Sequence, residues 1–192
     1  FHNFLSPYWN RRDDQYGGSV ENRARIVVET VKEIKKRLGN DFPVSVCING
    51  IELGRLCGID DATCQTSANA IETAKLLEAA GVDNLHIRSH WLGYHVGAYL
   101  TDVFFYPEPP IAISEFPPEY NATQHGAAAN VRLAAGLKKV LDIPVMVVGR
   151  FDAELGEKAV ADGSADFIGM TRRLQADPDY PNKVRELSLI HI

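Results

Sequence analysis

Two arginines stand where a phosphate can be held. In "VVGRF" Gly149 and Arg150 follow an apolar run, and in "IGMTRR" Met170, Thr171, Arg172 and Arg173 follow the next one. A glycine lets backbone N–H groups approach an anion closely. The planar fork of a guanidinium takes two phosphate oxygens at once. Two such exits from consecutive elements point to a phosphate-bearing ligand. The competing reading pairs Arg150 and Arg172 with acids of the same chain, such as Asp152 and Asp177. Three histidines, His86, His90 and His95, gather around "LHIRSHW". On a strand His86, Arg88 and His90 share one face. An ionisable face of that kind belongs in a pocket or in water, so His90 and His95 are candidates to hold a substrate carbonyl or a cofactor edge. No Asp or Glu nearby completes a ligand set, and no metal site is expected. Cys47, Cys57 and Cys64 are odd in number and lack the spacing of a metal knuckle. They read as reduced thiols, with Cys47 in a strand.

The elements that must position these residues alternate. Ser19 to Leu38 carries an apolar stripe at Val20, Ala24, Val27, Val28, Val31, Ile34 and Leu38, the period of a helix, with Ser19 as its cap. "FPVSVCING" is a short strand closed by Asn-Gly. Ser67 to Ala80 is a helix stopped by Gly81, and "VDNLHIRS" is a strand. Asn130 to Leu141 is a helix, "IPVMVVGR" a strand, Asp152 to Ala161 a helix, and "ADFIGMTR" a strand. "ADPDYPNKVREL" is a loop entering a last helix. Such alternation with short links builds a parallel sheet with helical crossovers. Two architectures compete, the doubly wound open sheet and the (β/α) barrel. The first wants a G-x-G-x-x-G turn after its opening strand, and none is present, which favours the α/β barrel. Between Trp91 and Gly126 the rhythm breaks into an aromatic, proline-rich segment. A loop of that length after a barrel strand reads as a lid or substrate wall.

Bulk properties narrow the classes. The chain has 192 residues, a length for one domain, and a formal net charge of −5 at pH 7. The acidic balance speaks against a nucleic-acid partner. No apolar run is long enough for a membrane span, and the expected location is cytoplasmic.

The opening stretch, "FLSPYWNRRDDQYGGSVENRARI", resembles the signature of the old yellow enzyme family, the NADH:flavin oxidoreductase barrels. "ADFIGMTRRLQADPDYPNK" is similar to that family's last barrel strand and the loop after it. The resemblance is closest to the branch with 2,4-dienoyl-CoA reductase and trimethylamine dehydrogenase. It implies a TIM barrel, a (β/α)8 fold, of which this chain covers about strands five to eight over residues 1–187, with 188–192 a tail unlike the family. It implies FMN as cofactor, NADH or NADPH as reductant, and hydride transfer to an activated alkene or related small molecule. It allows an iron–sulphur cluster in a longer parent, and none in this chain. It places the FMN phosphate on Gly149, Arg150, Thr171 and Arg172, with Met170 beside them. At Cys47 it implies a departure, because the family commonly carries an arginine there near the flavin pyrimidine, with Arg88 as a substitute. It leaves Arg23 with an internal partner. On this reading the chain alone binds FMN weakly and turns over nothing. Two rivals stand beside it: a non-catalytic half barrel that self-associates through open sheet edges, and another phosphate-binding barrel enzyme such as an aldolase or isomerase.

Overall fold

The computed structural model describes residues 1–55, 58–91, 114, 116–120 and 126–186. The aromatic segment expected at 91–126 therefore falls largely outside the described residues, as do His95, Cys57 and the tail at 188–192. Four parallel strands, β1 (Ser45–Leu53), β2 (Asn84–Trp91), β3 (Val145–Val148) and β4 (Phe167–Gly169), form one sheet in the order β1-β2-β3-β4. The helices are α1 (His2–Leu5), α2 (Val20–Leu38), α3 (Ser67–Ala79), α4 (Val131–Lys138), α5 (Ala153–Ala161), α6 (Arg172–Ala176) and α7 (Tyr180–Arg185).

Local sequence explains three of the helix starts. Ser19 accepts from the N–H of Asn22, Thr66 from that of Asn69, and Asp152 from that of Leu155. These are side-chain caps on N–H groups that a first turn leaves without partners. Gly39 and Gly81, at φ 92° and 98°, end α2 and α3 in a backbone that side-chain-bearing residues avoid.

One face of the sheet is apolar and carries the helices. Leu85, Ile87, Val145 and Val147 are fully buried. α3 packs on β1, α4 on β3 and β1, and α5 on β4. Ala74, Leu77, Leu133, Ala134 and Leu137 close the layer from the helix side. Each large aliphatic side chain buried there contributes about 1.5–3 kcal/mol. The other face is polar and open: Cys47 is exposed, His86 and Arg88 half-buried, and Phe167 55% exposed. Strands in sequential order, with helices on one face, have no point at which the strand order reverses. A doubly wound sheet requires such a point, so the choice between the two expected architectures falls to the singly wound, barrel-like arrangement. β1 and β4 are its two edges.

β1 departs from its sequence pattern. The Asn-Gly pair read as the end of the strand lies inside it, and the register shifts between Asn49 and Ile51. This is a bulge, which re-aims the side chains that follow. Without it Asn49 and Glu52 would face opposite ways. With it, Ile48, Ile51 and Leu53 enter the core, while Asn49 and Glu52 share the open face. Gly50 fits because a Cβ there would lie 3.1 Å from Leu133 Cδ1 and 3.4 Å from Ile87 Cγ2. The strands "VDNLHIRS" and "ADFIGMTR" also differ in extent. β2 runs on to Trp91, so His90 lies within it, and β4 keeps only Phe167–Gly169.

Candidate functional site

The open face is ordered in rungs. Cys47 pairs with His86, His86 with Met146, and Met146 with Phe167. The next rung carries Asn49 opposite Arg88, and Val148 opposite Gly169. Nearest the C-terminal ends, Glu52 stands opposite His90.

The first residues of the chain fold across this end of β1 and β2. Arg23, buried in α2, donates from Nε to the Leu5 carbonyl at 2.9 Å and from Nη1 to the Gly18 carbonyl. Its internal partners are thus carbonyls rather than acids. Asn10 donates to the carbonyls of Phe4 and Tyr16, each at 2.7 Å. Held this way, Ser6 and His2 reach the sheet. The carboxylate of Glu52, 1% exposed, accepts from Ser6 Oγ at 2.7 Å, Gln65 N at 3.0 Å and Asn49 Nδ2 at 3.3 Å. A buried carboxylate needs such a set of donors. His2 Nδ1 lies 2.7 Å from Asn49 Nδ2, and the His2 ring meets that of His90 edge to face at 4.6 Å. Arg88 Nε donates to Asn49 Oδ1 at 3.0 Å.

The electrostatics follow from this packing. Burial, then the charge of Arg88, lowers the pKa of His86 and that of His2 below the ordinary histidine value, so both rings are biased to the neutral form. Cys47 is exposed as a residue, yet neighbouring atoms partly desolvate its thiol and push it up, and Arg88 partly offsets the rise. Burial also raises Cys64, to about 11. Neither thiol is activated as a nucleophile. Among the described residues no group of three or more His, Cys, Asp or Glu gathers as a metal site. None of their helices is long and apolar enough to cross a membrane.

The predicted strand-exit residues lie together at one end of the sheet. Val148 pairs with Gly169, so Gly149 and Met170 leave the sheet side by side. Ile87 pairs with Val147, so His90 and Arg150 each stand three residues beyond the same rung. Arg150 has φ 57°, directly after Gly149 at φ 146°. A left-handed arginine is uncommon, and such backbone strain clusters at ligand-holding turns. A Cβ on Gly149 would lie 3.3 Å from Asn130 Nδ2, which itself donates to the Val148 carbonyl at 2.7 Å. Thr171 and Arg172 are exposed. The expected alternative partner of Arg172 is taken, since Asp177 binds Lys183 Nζ at 2.8 Å. Asp152, named as the alternative partner for Arg150, caps α5 at Leu155 N, 2.8 Å away. Met170 has its side chain against α5, with its Cε 3.6 Å from the Cβ position of Gly156, and packs on the core. His2, Ser6, Glu52 and Gln65 were not legible as site residues. The one sequence signal was the acid at position 52, two residues past a glycine in a strand, a pattern for a bulge.

Residues 1–108 match the family described as NADH:flavin oxidoreductase / NADH oxidase. An NADH oxidase of Thermoanaerobacter brockii is 34% identical over 95% of this chain, which covers 24% of that protein. A cinnamate reductase of Clostridium sporogenes is 36% identical over 95% of this chain and is covered for 26% of its length. The solved structure of a 2-naphthoyl-CoA reductase complex superposes with a TM-score of 0.70 at 32% identity, over 96% of this chain and 24% of the other. The chain thus spans about a quarter of the length of these relatives. Its TIM-barrel-type α/β architecture, its opening signature and its similarity along nearly its whole length agree: the chain belongs to the NADH:flavin oxidoreductase / NADH oxidase family.

Proposed function

We propose that this chain is the FMN-holding second half, strands five to eight, of a barrel oxidoreductase that passes hydride between NAD(P)H and a small unsaturated substrate. The observation that carries the reading is Arg88. It lies on the open face, half-buried, and its Nη1 and Nη2 have no partner among the described residues. Beside it on the same face, His86 Nε2 is buried without a hydrogen-bond partner among the described residues. Buried polar atoms left in this way fit a face built to meet a polar ligand. FMN, when bound, supplies the two-electron chemistry, and the protein supplies orientation and charge.

The division of labour follows from position. Gly149, Arg150, Thr171 and Arg172, at the ends of β3 and β4, hold the phosphate. Arg88 donates N–H groups to an electron-rich ring oxygen and provides the positive charge that Cys47 does not. His90 faces the substrate, and His95, expected beside it, lies outside the described residues. The names cinnamate reductase and 2-naphthoyl-CoA reductase among the relatives support the reductive direction. The test is a titration of FMN fluorescence with the 192-residue chain. Quenching that saturates, with Kd raised about ten-fold by Arg172→Ala as expected for one lost charged phosphate contact, supports the reading. Absence of quenching, or a Kd indifferent to Arg172→Ala, overturns it.

A further inference from the structure

We propose that Asn49 is a positioning residue, whose amide, held by His2 and Glu52, locks the Arg88 guanidinium on the open face of the sheet as a site for an anionic ligand. The inference deepens the flavin reading and rests on it only for the identity of the anion.

The hydrogen-bond geometry permits one orientation of the Asn49 amide. On one side lie two acceptors, His2 Nδ1 at 2.7 Å and Glu52 Oε1 at 3.3 Å. On the other lies a donor, Arg88 Nε at 3.0 Å. An amide offers two N–H donors and a carbonyl oxygen. Only with Nδ2 towards His2 and Glu52, and Oδ1 towards Arg88, is each bond satisfied. The lowered pKa of His2 agrees, because a neutral ring protonated at Nε2 offers Nδ1 as an acceptor, which a charged ring does not. Glu52 is fixed in turn by Ser6 and Gln65. Asn49 is 7% exposed, too enclosed to exchange these partners for water.

The consequence for Arg88 is specific. A guanidinium bound through Nε has its plane fixed while both terminal nitrogens stay available, the fork that meets an anionic oxygen pair. No carboxylate pairs with Arg88 among the described residues, so its charge is not neutralised locally. Ordering a free arginine side chain costs up to about 2 kcal/mol of rotamer entropy, and Asn49 removes part of that cost before a ligand arrives.

Cys47 provides a reporter. It is exposed, and it lies on the same face as the diagonal neighbour of Arg88. Iodoacetate and iodoacetamide alkylate a thiolate in the same way, displacing iodide, but only the first is an anion. The ratio of their rates at Cys47, read by peptide mass, cancels thiol pKa and exposure and reports the local positive potential. The expected result is a ratio about three-fold lower in Arg88→Leu, the size of one charge a few ångströms away in near-aqueous surroundings. Asn49→Leu should lower it by a similar factor, and the double variant should show no further loss. A ratio unchanged in Asn49→Leu or in Arg88→Leu overturns the proposal. So does an Asn49→Leu effect that persists undiminished without Arg88, because a merely structural role acts in both backgrounds. Should Asn49→Leu not fold by circular dichroism, Asn49→Ser, too short to bridge Glu52 and Arg88, carries the same expectation. Protection of Cys47 by added FMN, measured separately, tests the flavin reading alone.

Discussion

Replacing Glu52 separates a carboxylate that organises the site from one that merely occupies it. In Glu52→Ala three donors, Ser6 Oγ, Gln65 N and Asn49 Nδ2, lose their acceptor in a buried setting. Each buried donor left without a partner costs about 1–3 kcal/mol, so the sum is about 3–9 kcal/mol. Water relieves part of this. A cavity of about 20 Å³ lined by Ser6, Glu52, Gln65 and Arg88 already adjoins the carboxylate, which is room for one water. The expected loss is therefore about 3–5 kcal/mol, in line with breaking a buried charged contact from one side. Glu52→Gln should behave differently. Both of the shorter bonds, from Ser6 and Gln65, end on Oε2. A glutamine that places its oxygen there keeps both, while its NH2 takes the place of the oxygen that accepted from Asn49 Nδ2. The only bond lost is the longest, from Asn49, and the expected cost is about 1 kcal/mol. The assay is urea unfolding followed by far-UV circular dichroism, with the slope unchanged across variants. Equal losses in Glu52→Ala and Glu52→Gln, or no loss in either, would refute the bonding scheme.

Two further perturbations follow from geometry and charge. A Cβ on Gly169 would lie 2.5 Å from Val148 Cγ1 across the β3–β4 rung; Gly169→Ala should cost about 1–3 kcal/mol, and adding Val148→Ala should recover part of it in the same unfolding assay. Lys35 Nζ at 2.6 Å and the Val44 N–H at 2.7 Å both donate to Asp83 and hold its carboxyl below the ordinary value. A depressed folded-state pKa gives stability that is present above pH ~4 and lost as the pH falls below it. Urea midpoints measured from pH 5 down to pH 3 should therefore fall less steeply in Asp83→Asn than in the unmodified chain.

What the sequence disclosed, and what it hid, divides by range. α2 was legible because its stripe and its Ser19 cap are local signals; Val20, Ala24, Val27 and Val31 are buried as that stripe requires, while Leu38 at its end is exposed. The shared face of His86, Arg88 and His90 follows from strand alternation alone, and it holds. The continuation of β1 was hidden, because Asn-Gly reads locally as a turn, while the glycine at the bulge packs close against Leu133 and Ile87 from distant segments. The hub around Glu52 was hidden for the same reason. Ser6 is 46 residues away in the chain, and no spacing rule brings it there. Met170 stands in the motif beside Thr171 and Arg172, yet alternation along β4 turns its side chain to α5.

FMN can be mapped onto the chain directly by amide and arginine Nε chemical shifts. A flavin held across both strand ends gives shifts at Gly149, Arg150, Thr171 and Arg172 for the phosphate end, and at His86 and Arg88 for the ring end, in one saturating titration. Shifts gathered instead on the lysine-lined groove at the opposite end of the sheet, around Lys32, Lys36 and Gly81, or shifts nowhere, would contradict it.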